Sequence, residues 1–307
     1  MRKPLVGLAL GGGSARGWSH IGVISALNAA GIPIDVVAGT SIGALVGAAH
    51  AAGELDRLQE WLETLTRRDV VNLLDITVNG GLIKGDKLVD FFASHFFDIE
   101  IEKLPKPFGA VATDLVSGAE MWLRSGSLIQ AVRASIAVPG LFTPVQRDGV
   151  LLVDGALLNP VPVSMCRAMG ADFVIAVDLN SDMAGRHFRH PGDWRTEKSV
   201  VPAGRTGGVR SRLQSGFALL LGGKSKNRSL PSVRNIITSS IGIMQIQITR
   251  SRLAAEPPDV LITPQLSHMR LTDFHRAGPA IAEGIKATES VMPRLVESLS
   301  HQTRNFT

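Results

Sequence analysis

The stretch 36–53, VVAGTSIGALVGAAHAAG, constrains this chain more than any other. A β-branched run leads into Gly39-Thr40-Ser41-Ile42-Gly43 and an Ala/Leu/Val run leads out, so the segment reads as strand, cramped turn and helix. A G-x-S-x-G set this way is a nucleophile elbow. Gly39 and Gly43 admit the tight turn, the Ser41 hydroxyl is pushed outward, and the next helix aims its first amides toward it. Ser41 is the candidate nucleophile; the competing role is an ordinary helix N-cap. The stretch is uncharged, but the elbow divides it, and no membrane span is expected.

A second unit of the same kind precedes it. Residues 4–10 read as a strand, GGGSARG at 11–17 as a loop, and WSHIGVISALNAAG as a helix closed by Gly31, with Trp18, Ile21, Ile24, Ser25 and Leu27 near helical spacing. Residues 34–38 form the next strand. Two consecutive strand-turn-helix units predict a layered α/β fold. Further helices are expected over 54–68, 86–97 and 128–137, with 73–85 a loop or lid-like connection between the first two. Strands are expected at 108–113, 119–124, 151–153 and 173–177, and Asn159-Pro160 opens a helix running through Met169. After residue 230 come a helix over 232–253, a strand at 259–262 and a terminal helix over 272–298.

With 307 residues, 45% of them hydrophobic, the chain can bury a large core and is not disordered throughout. Its single cysteine, Cys166, excludes an internal disulfide and a thiolate metal cluster, and its apolar surroundings read as a buried site. The opening MRKPLVGLALGGG has too short an apolar run for a signal peptide. The net charge is +5, but 181–230 holds ten Lys/Arg against three acids, so the basic character belongs to that segment. This Gly/Ser/Arg/Pro-rich stretch reads as a flexible, solvated insertion. Trp194, Phe188 and Phe217 show no stacking rhythm, so no nucleic-acid partner is expected, and attraction to an anionic membrane surface is the next reading. Gly222-Gly223-Lys224-Ser225 lacks the earlier glycine of a phosphate loop, Ala218 standing there.

A serine nucleophile needs a base and an oxyanion site. The 11–17 loop offers backbone amides turned to one point. It misses the dinucleotide-binding G-x-G-x-x-G, since Arg16 stands where the last glycine belongs, and no acid closes the second strand. For the base, two arrangements remain open. Asp154 with His268 or His275 would give the order Ser, acid, His of an α/β-hydrolase, although there the elbow follows more strands than it does here. Alternatively Asp154, beside Gly155 in D-G-A, takes the serine proton directly.

The stretches GLALGGGSARGWSHIGVI, GTSIGALVGAA, RASIAVPGLFTPV, LVDGALLNPVPVS and PPDVLITP with DFHRA, in that order, make the chain resemble the patatin-like phospholipases and, among them, the bacterial RssA-type branch. The resemblance implies a three-layer α/β/α fold with a mostly parallel central sheet, as one domain over 1–307. The basic insertion at 181–230 interrupts it and 231–307 completes it with helix and strand. It implies a serine acyl hydrolase acting on acyl lipids or phospholipids through an acyl-enzyme, with Ser41 as nucleophile and Asp154 as its base. Gly12, Gly13 and Ser14 would supply oxyanion amides, joined by Ile42, with Gly11, Arg16, Gly17, Gly39, Gly43 and Gly155 shaping the motifs. The family usually has glycine where this chain has Ser14. No cofactor or metal is implied, and the expected place is cytoplasmic, peripheral at the inner membrane face. The alternative is a regulatory or scaffolding protein acting by binding. Arg16 either contacts an anionic head group or braces the loop; His20 and His275 pack or hydrogen-bond; Asp114 and Asp178 form turns.

Overall fold

The computed structural model describes residues 2–73, 99–183 and 233–305. The expected 86–97 helix, nearly all of the 73–85 connection, and all but the first three residues of 181–230 lie outside them. Among the described residues the strands are β1 (Val6–Leu10), β2 (Val36–Thr40), β3 (Phe108–Asp114), β4 (Glu120–Leu123), β5 (Val145–Arg147), β6 (Val150–Asp154), β7 (Phe173–Val177) and β8 (Val260–Ile262). The helices are α1 (Ser19–Ala29), α2 (Ile42–Ala52), α3 (Leu55–Thr64), α4 (Arg67–Leu73), α5 (Leu128–Ser135), α6 (Val163–Ala168), α7 (Val233–Ala255) and α8 (Ala277–Asn305).

All eight strands join one sheet. Its body, β3-β2-β1-β7-β8, is parallel throughout; β4 and β6 add to β3 antiparallel, and β5 adds to β6. The two-residue side-chain period splits the strands between two cores. Leu8, Leu10, Val37, Ala110, Ala112, Ile175 and Val177 face α1, α2, α5 and α8. Ala9, Ala38, Val111, Val174 and Ala176 face α6 and Leu253 of α7. Helices on both faces make three layers, as an α/β/α arrangement requires. Cys166 is buried in the second core, where loss of water pushes its thiol up to about 12. It packs as a small hydrophobe.

The departures from expectation have local causes. The 54–68 helix breaks because Leu65 turns extended and the Asp69 carboxylate caps the backbone N–H and hydroxyl of Thr66, opening α4 anew. The helix expected from Asn159-Pro160 starts only at Val163, because Pro160 and Pro162 keep the residues before them out of helical geometry. The terminal helix starts at Ala277, after a turn organised by Asp273, which accepts from the Arg270 N–H through its side chain and the Arg276 N–H through its carbonyl. Strand β5, which was not expected, folds onto β6 through Asp148-Gly149, both at positive φ (50° and 78°). That is the backbone a two-residue hairpin turn demands.

β1 lies between β2 and β7, so the crevice at the carboxyl ends of these strands opens where the chain order reverses. The glycine loop follows β1 and the elbow follows β2. No helix among the described residues is long and apolar enough to cross a membrane.

Candidate active site

Ser41 sits between β2 and α2 with φ 55° and ψ −125°. A non-glycine residue held there stores about 1–3 kcal/mol of strain, which the neighbouring packing must offset. The flanking glycines make the turn possible by close approach. A Cβ on Gly43 would stand 2.1 Å from the Leu10 carbonyl oxygen, and one on Gly39 2.4 Å from the Gly43 oxygen. The turn is fixed from both ends: Thr40 Oγ1 donates to the Asn159 carbonyl at 2.8 Å, and the Ser41 N–H donates to Ser135 Oγ at 2.9 Å. Ser135 in turn donates to the Val111 carbonyl at 2.6 Å. The serine hydroxyl donates to Asp154 Oδ2 at 2.6 Å.

Sheet register explains how residues 113 positions apart meet. Along β3, Ala110 and Val111 pair with both β2 and β4, and Ala112 and Thr113 pair with both β4 and β6. β4 therefore occupies one edge, and β2 and β6 share the other in succession. The parallel β2 ends with Thr40 opposite Val111, and the antiparallel β6 ends with Asp154 opposite Ala112. Two strands run toward each other along one edge and stop one register step apart, carboxyl end to carboxyl end.

The residues around this junction hold Asp154 in place. Its N–H donates to the Ala137 carbonyl at 3.0 Å, and its carbonyl accepts from Thr113 Oγ1 at 3.0 Å. Its second carboxylate oxygen accepts from the Ala156 N–H at 2.7 Å. The side chain is 1% exposed, and burial drives its pKa from 3.8 up to about 7, against the downward pull of the Ser41 hydroxyl and the Ala156 N–H. A carboxylate so poised can accept a proton from the hydroxyl it touches near neutral pH.

The glycine loop lies alongside. A Cβ on Gly12 would be 3.4 Å from Ser41 Cβ, so this backbone runs in contact with the serine. Gly11 N–H donates to the Val177 carbonyl at 3.1 Å and Gly12 N–H to the Pro160 carbonyl at 2.9 Å. The Gly12 amide is thus spent within the fold, which departs from the expectation of an oxyanion donor there. Among the described residues the Gly13 and Ser14 amides have no acceptor, and the Ile42 N–H opens the first turn of α2, where no preceding carbonyl serves it. Ser14 takes φ 54°, the conformation that makes glycine usual at this position. Its hydroxyl compensates by donating to the Leu271 carbonyl at 2.6 Å. Gly17 and Gly155 are close-contact positions, a Cβ on either falling 2.3 Å from Ile42 or the Val111 oxygen respectively.

Arg16 braces the loop and is not a surface cation: it is 5% exposed, with Nε on the Gly13 carbonyl at 3.2 Å and Nη1 on the Leu179 carbonyl at 3.3 Å. His20 is fully buried, its Nε2 on the Gly11 carbonyl at 2.8 Å, and burial lowers its pKa to about 4. His275 Nε2 accepts from Arg67 Nε at 3.0 Å, and His268 is exposed. The acceptor on Ser41 is a carboxylate, so neither histidine completes a triad there. Asp114 takes the turn role, accepting from the Val116 N–H and the Ser117 hydroxyl. Asp178 is buried, accepts from the Asn180 N–H at 2.9 Å, and is pushed up by desolvation. The site roles of Ser135, Asn159 and Asn180 are not among the sequence expectations, which gave Asn159 only a helix start. Ser135 and Asn159 stand out as polar residues inside apolar stretches and Asn180 lies among polar neighbours, but nothing in the spacing says what any of them would touch. Among the described residues no three His, Cys, Asp or Glu side chains gather as metal ligands.

With this geometry in view, likeness to known proteins becomes informative. Residues 8–167 match the family model for patatin-like phospholipase. An uncharacterised NTE family protein of Mycobacterium tuberculosis is 36% identical over 322 aligned positions, covering 92% of this chain and 89% of that one. Human patatin-like phospholipase domain-containing protein 6 is 39% identical over 184 positions, covering 57% of this chain and 13% of that much longer protein. Among solved structures, VipD from Legionella pneumophila aligns with a TM-score of 0.44 and 15% identity, over 98% of this chain and 67% of that one. The chain belongs to the patatin-like phospholipase family.

Proposed function

We propose that the protein is a serine acyl hydrolase that cleaves carboxylic esters of acyl lipids through a Ser41-Asp154 dyad. The observation that carries this reading is the buried 2.6 Å hydrogen bond from Ser41 Oγ to Asp154 Oδ2. Ser41 Oγ attacks the acyl carbonyl while its proton passes to Asp154. The oxyanion that forms is received by the amides of Gly13, Ser14 and Ile42. Asp154 then returns the proton to the departing alcohol, leaving the acyl group on Ser41, and water repeats the sequence to release the fatty acid. Each well-aimed oxyanion donor contributes about 3 kcal/mol to such a step. Phospholipids are the substrate class that the family points to.

A fluorophosphonate probe tests the chemistry. Labelling of the wild type is expected, with none in Ser41→Ala and at least about a hundredfold slower labelling in Asp154→Asn. A folded wild type that never labels would refute the proposal in favour of a scaffolding role.

We further propose that the chain forms one domain interrupted by 181–230, and that this basic segment draws it to the anionic inner face of the membrane. Each basic side chain near such a surface contributes about 1 kcal/mol. Removing 181–230 should abolish salt-sensitive binding to phosphatidylglycerol vesicles and spare hydrolysis of a soluble ester; unchanged binding would overturn the membrane role.

A further inference from the structure

Three successive carbonyls of the glycine loop are each gripped by a buried side chain. His20 Nε2 lies 2.8 Å from Gly11 O, Asn180 Nδ2 3.0 Å from Gly12 O, and Arg16 Nε 3.2 Å from Gly13 O. The first grip belongs with the spent Gly12 amide. The other two bear on the amides that have no acceptor among the described residues. A peptide unit is planar and trans, so its C=O and the next residue's N–H point in opposite directions. Whatever holds the Gly12 carbonyl therefore aims the Gly13 N–H, and whatever holds the Gly13 carbonyl aims the Ser14 N–H.

We propose that Asn180 is a positioning residue for oxyanion stabilisation, acting through the Gly12–Gly13 peptide. The inference rests on the hydrolase reading above. A carbonyl only accepts, so the Asn180 amide nitrogen must face it, and the side chain is only 7% exposed. Its own place is set by the backbone: β7 pairs with β1 up to Val177 opposite Leu10, and the chain then runs on beside the loop. There Asp178 Oδ1 accepts the Asn180 N–H at 2.9 Å, and the Asp178 N–H donates to the Ile262 carbonyl at 3.0 Å. Asn180 is thus held just past the carboxyl end of a central strand on one side and touches the glycine loop on the other. Water in its place would satisfy the Gly12 carbonyl without fixing the peptide plane, and with glycine on both sides of that peptide no side chain of its own limits how far the plane can tilt between its held neighbours. An oxyanion donor works because its direction is set before the charge appears.

The test compares wild type, Asn180→Ala and the isosteric Asn180→Asp on a soluble p-nitrophenyl ester. Removing an oxyanion donor outright costs about 10²–10³ in kcat; losing its aim is expected to cost about 30-fold in kcat. KM should stay within about threefold, because the ground-state ester makes little use of the donor. Inhibition by an alkyl trifluoromethyl ketone, whose adduct with Ser41 places an oxyanion in the same spot, should weaken in step with kcat/KM. With carbon-13 and nitrogen-15 glycine, the Gly12 carbonyl and Gly13 amide resonances should move in both variants while the Gly11 carbonyl does not. Folded variants with wild-type kcat, or unmoved Gly12 and Gly13 resonances, would overturn the role of Asn180. An inert wild type, failing with ester and fluorophosphonate alike, would instead bring down the hydrolase reading and the proposal with it.

Discussion

Replacing Asp154 by asparagine separates what the carboxylate does for chemistry from what it costs the fold. The native acid has a pKa near 7 against 3.8 for an ordinary aspartate, with burial as the first cause. Between pH 5 and 7 the unfolded chain carries this group ionised while the folded chain holds it protonated, so the folded state binds more protons and loses stability as pH rises. The slope is about 1.36 kcal/mol per pH unit, or about 2.5 kcal/mol across that window after rounding near the folded pKa. Asparagine has no charge to desolvate. Its amide can donate to Ser41 Oγ, and its oxygen can accept from the Ala156 N–H, the two contacts Asp154 makes. The stability of Asp154→Asn minus that of the wild type should therefore grow by about 2.5 kcal/mol from pH 5 to pH 8. Every other titrating group cancels in the difference. Urea unfolding of both proteins at the two pH values measures it. The same proton governs rate: kcat/KM on a soluble ester should fall tenfold per pH unit below about 6 and level off above about 8. A stability difference that stays flat with pH, together with a rate unchanged down to pH 5, would refute the claim that burial holds this carboxylate near neutrality.

Three other perturbations follow from the same contacts. Gly43→Ala places a Cβ 2.1 Å from the Leu10 oxygen, so a loss of at least about 3 kcal/mol in urea unfolding, or failure to fold, is expected. Ser135→Ala leaves both the Ser41 N–H and the Val111 carbonyl without their buried partner; this should cost about 2–4 kcal/mol by thermal unfolding and slow fluorophosphonate labelling at unchanged KM for ester. His20 is buried with its pKa lowered from 6.5 to about 4, so stability is full above 6.5 and drains as pH falls toward 4, by about 3 kcal/mol. His50, lowered to about 4 by burial and by Lys106, adds a second slope of the same sign, so His20→Gln should remove only part of the acid lability seen in urea titrations at pH 4 and 7.

What the sequence could and could not announce follows from the range of the forces involved. The elbow was legible because strand, tight turn and helix are each written in local residues: β-branched at 36 and 37, glycine at 39 and 43, alanine and leucine after. The layered fold was legible for the same reason, repeated twice. Where local signals compete, the reading failed by a few residues. Asn159-Pro160 looks like a helix start until Pro162 removes the next turn, and Asp148-Gly149 is a faint hairpin signal because the strand before it, β5, is only three residues long. The union of Ser41 with Asp154 is of another kind. It depends on β2 and β6 ending at neighbouring positions of β3, a register that no single segment encodes and that Thr40 opposite Val111 and Ala112 opposite Asp154 bring about together. The stretch RASIAVPG, matched earlier only by resemblance, has its physical reason here: Ser135 takes the elbow's amide, and the Ala137 carbonyl takes the acid's. One short segment therefore holds both halves of the candidate site at the junction of two strands. A substitution there should separate hydroxyl from carboxylate without touching either.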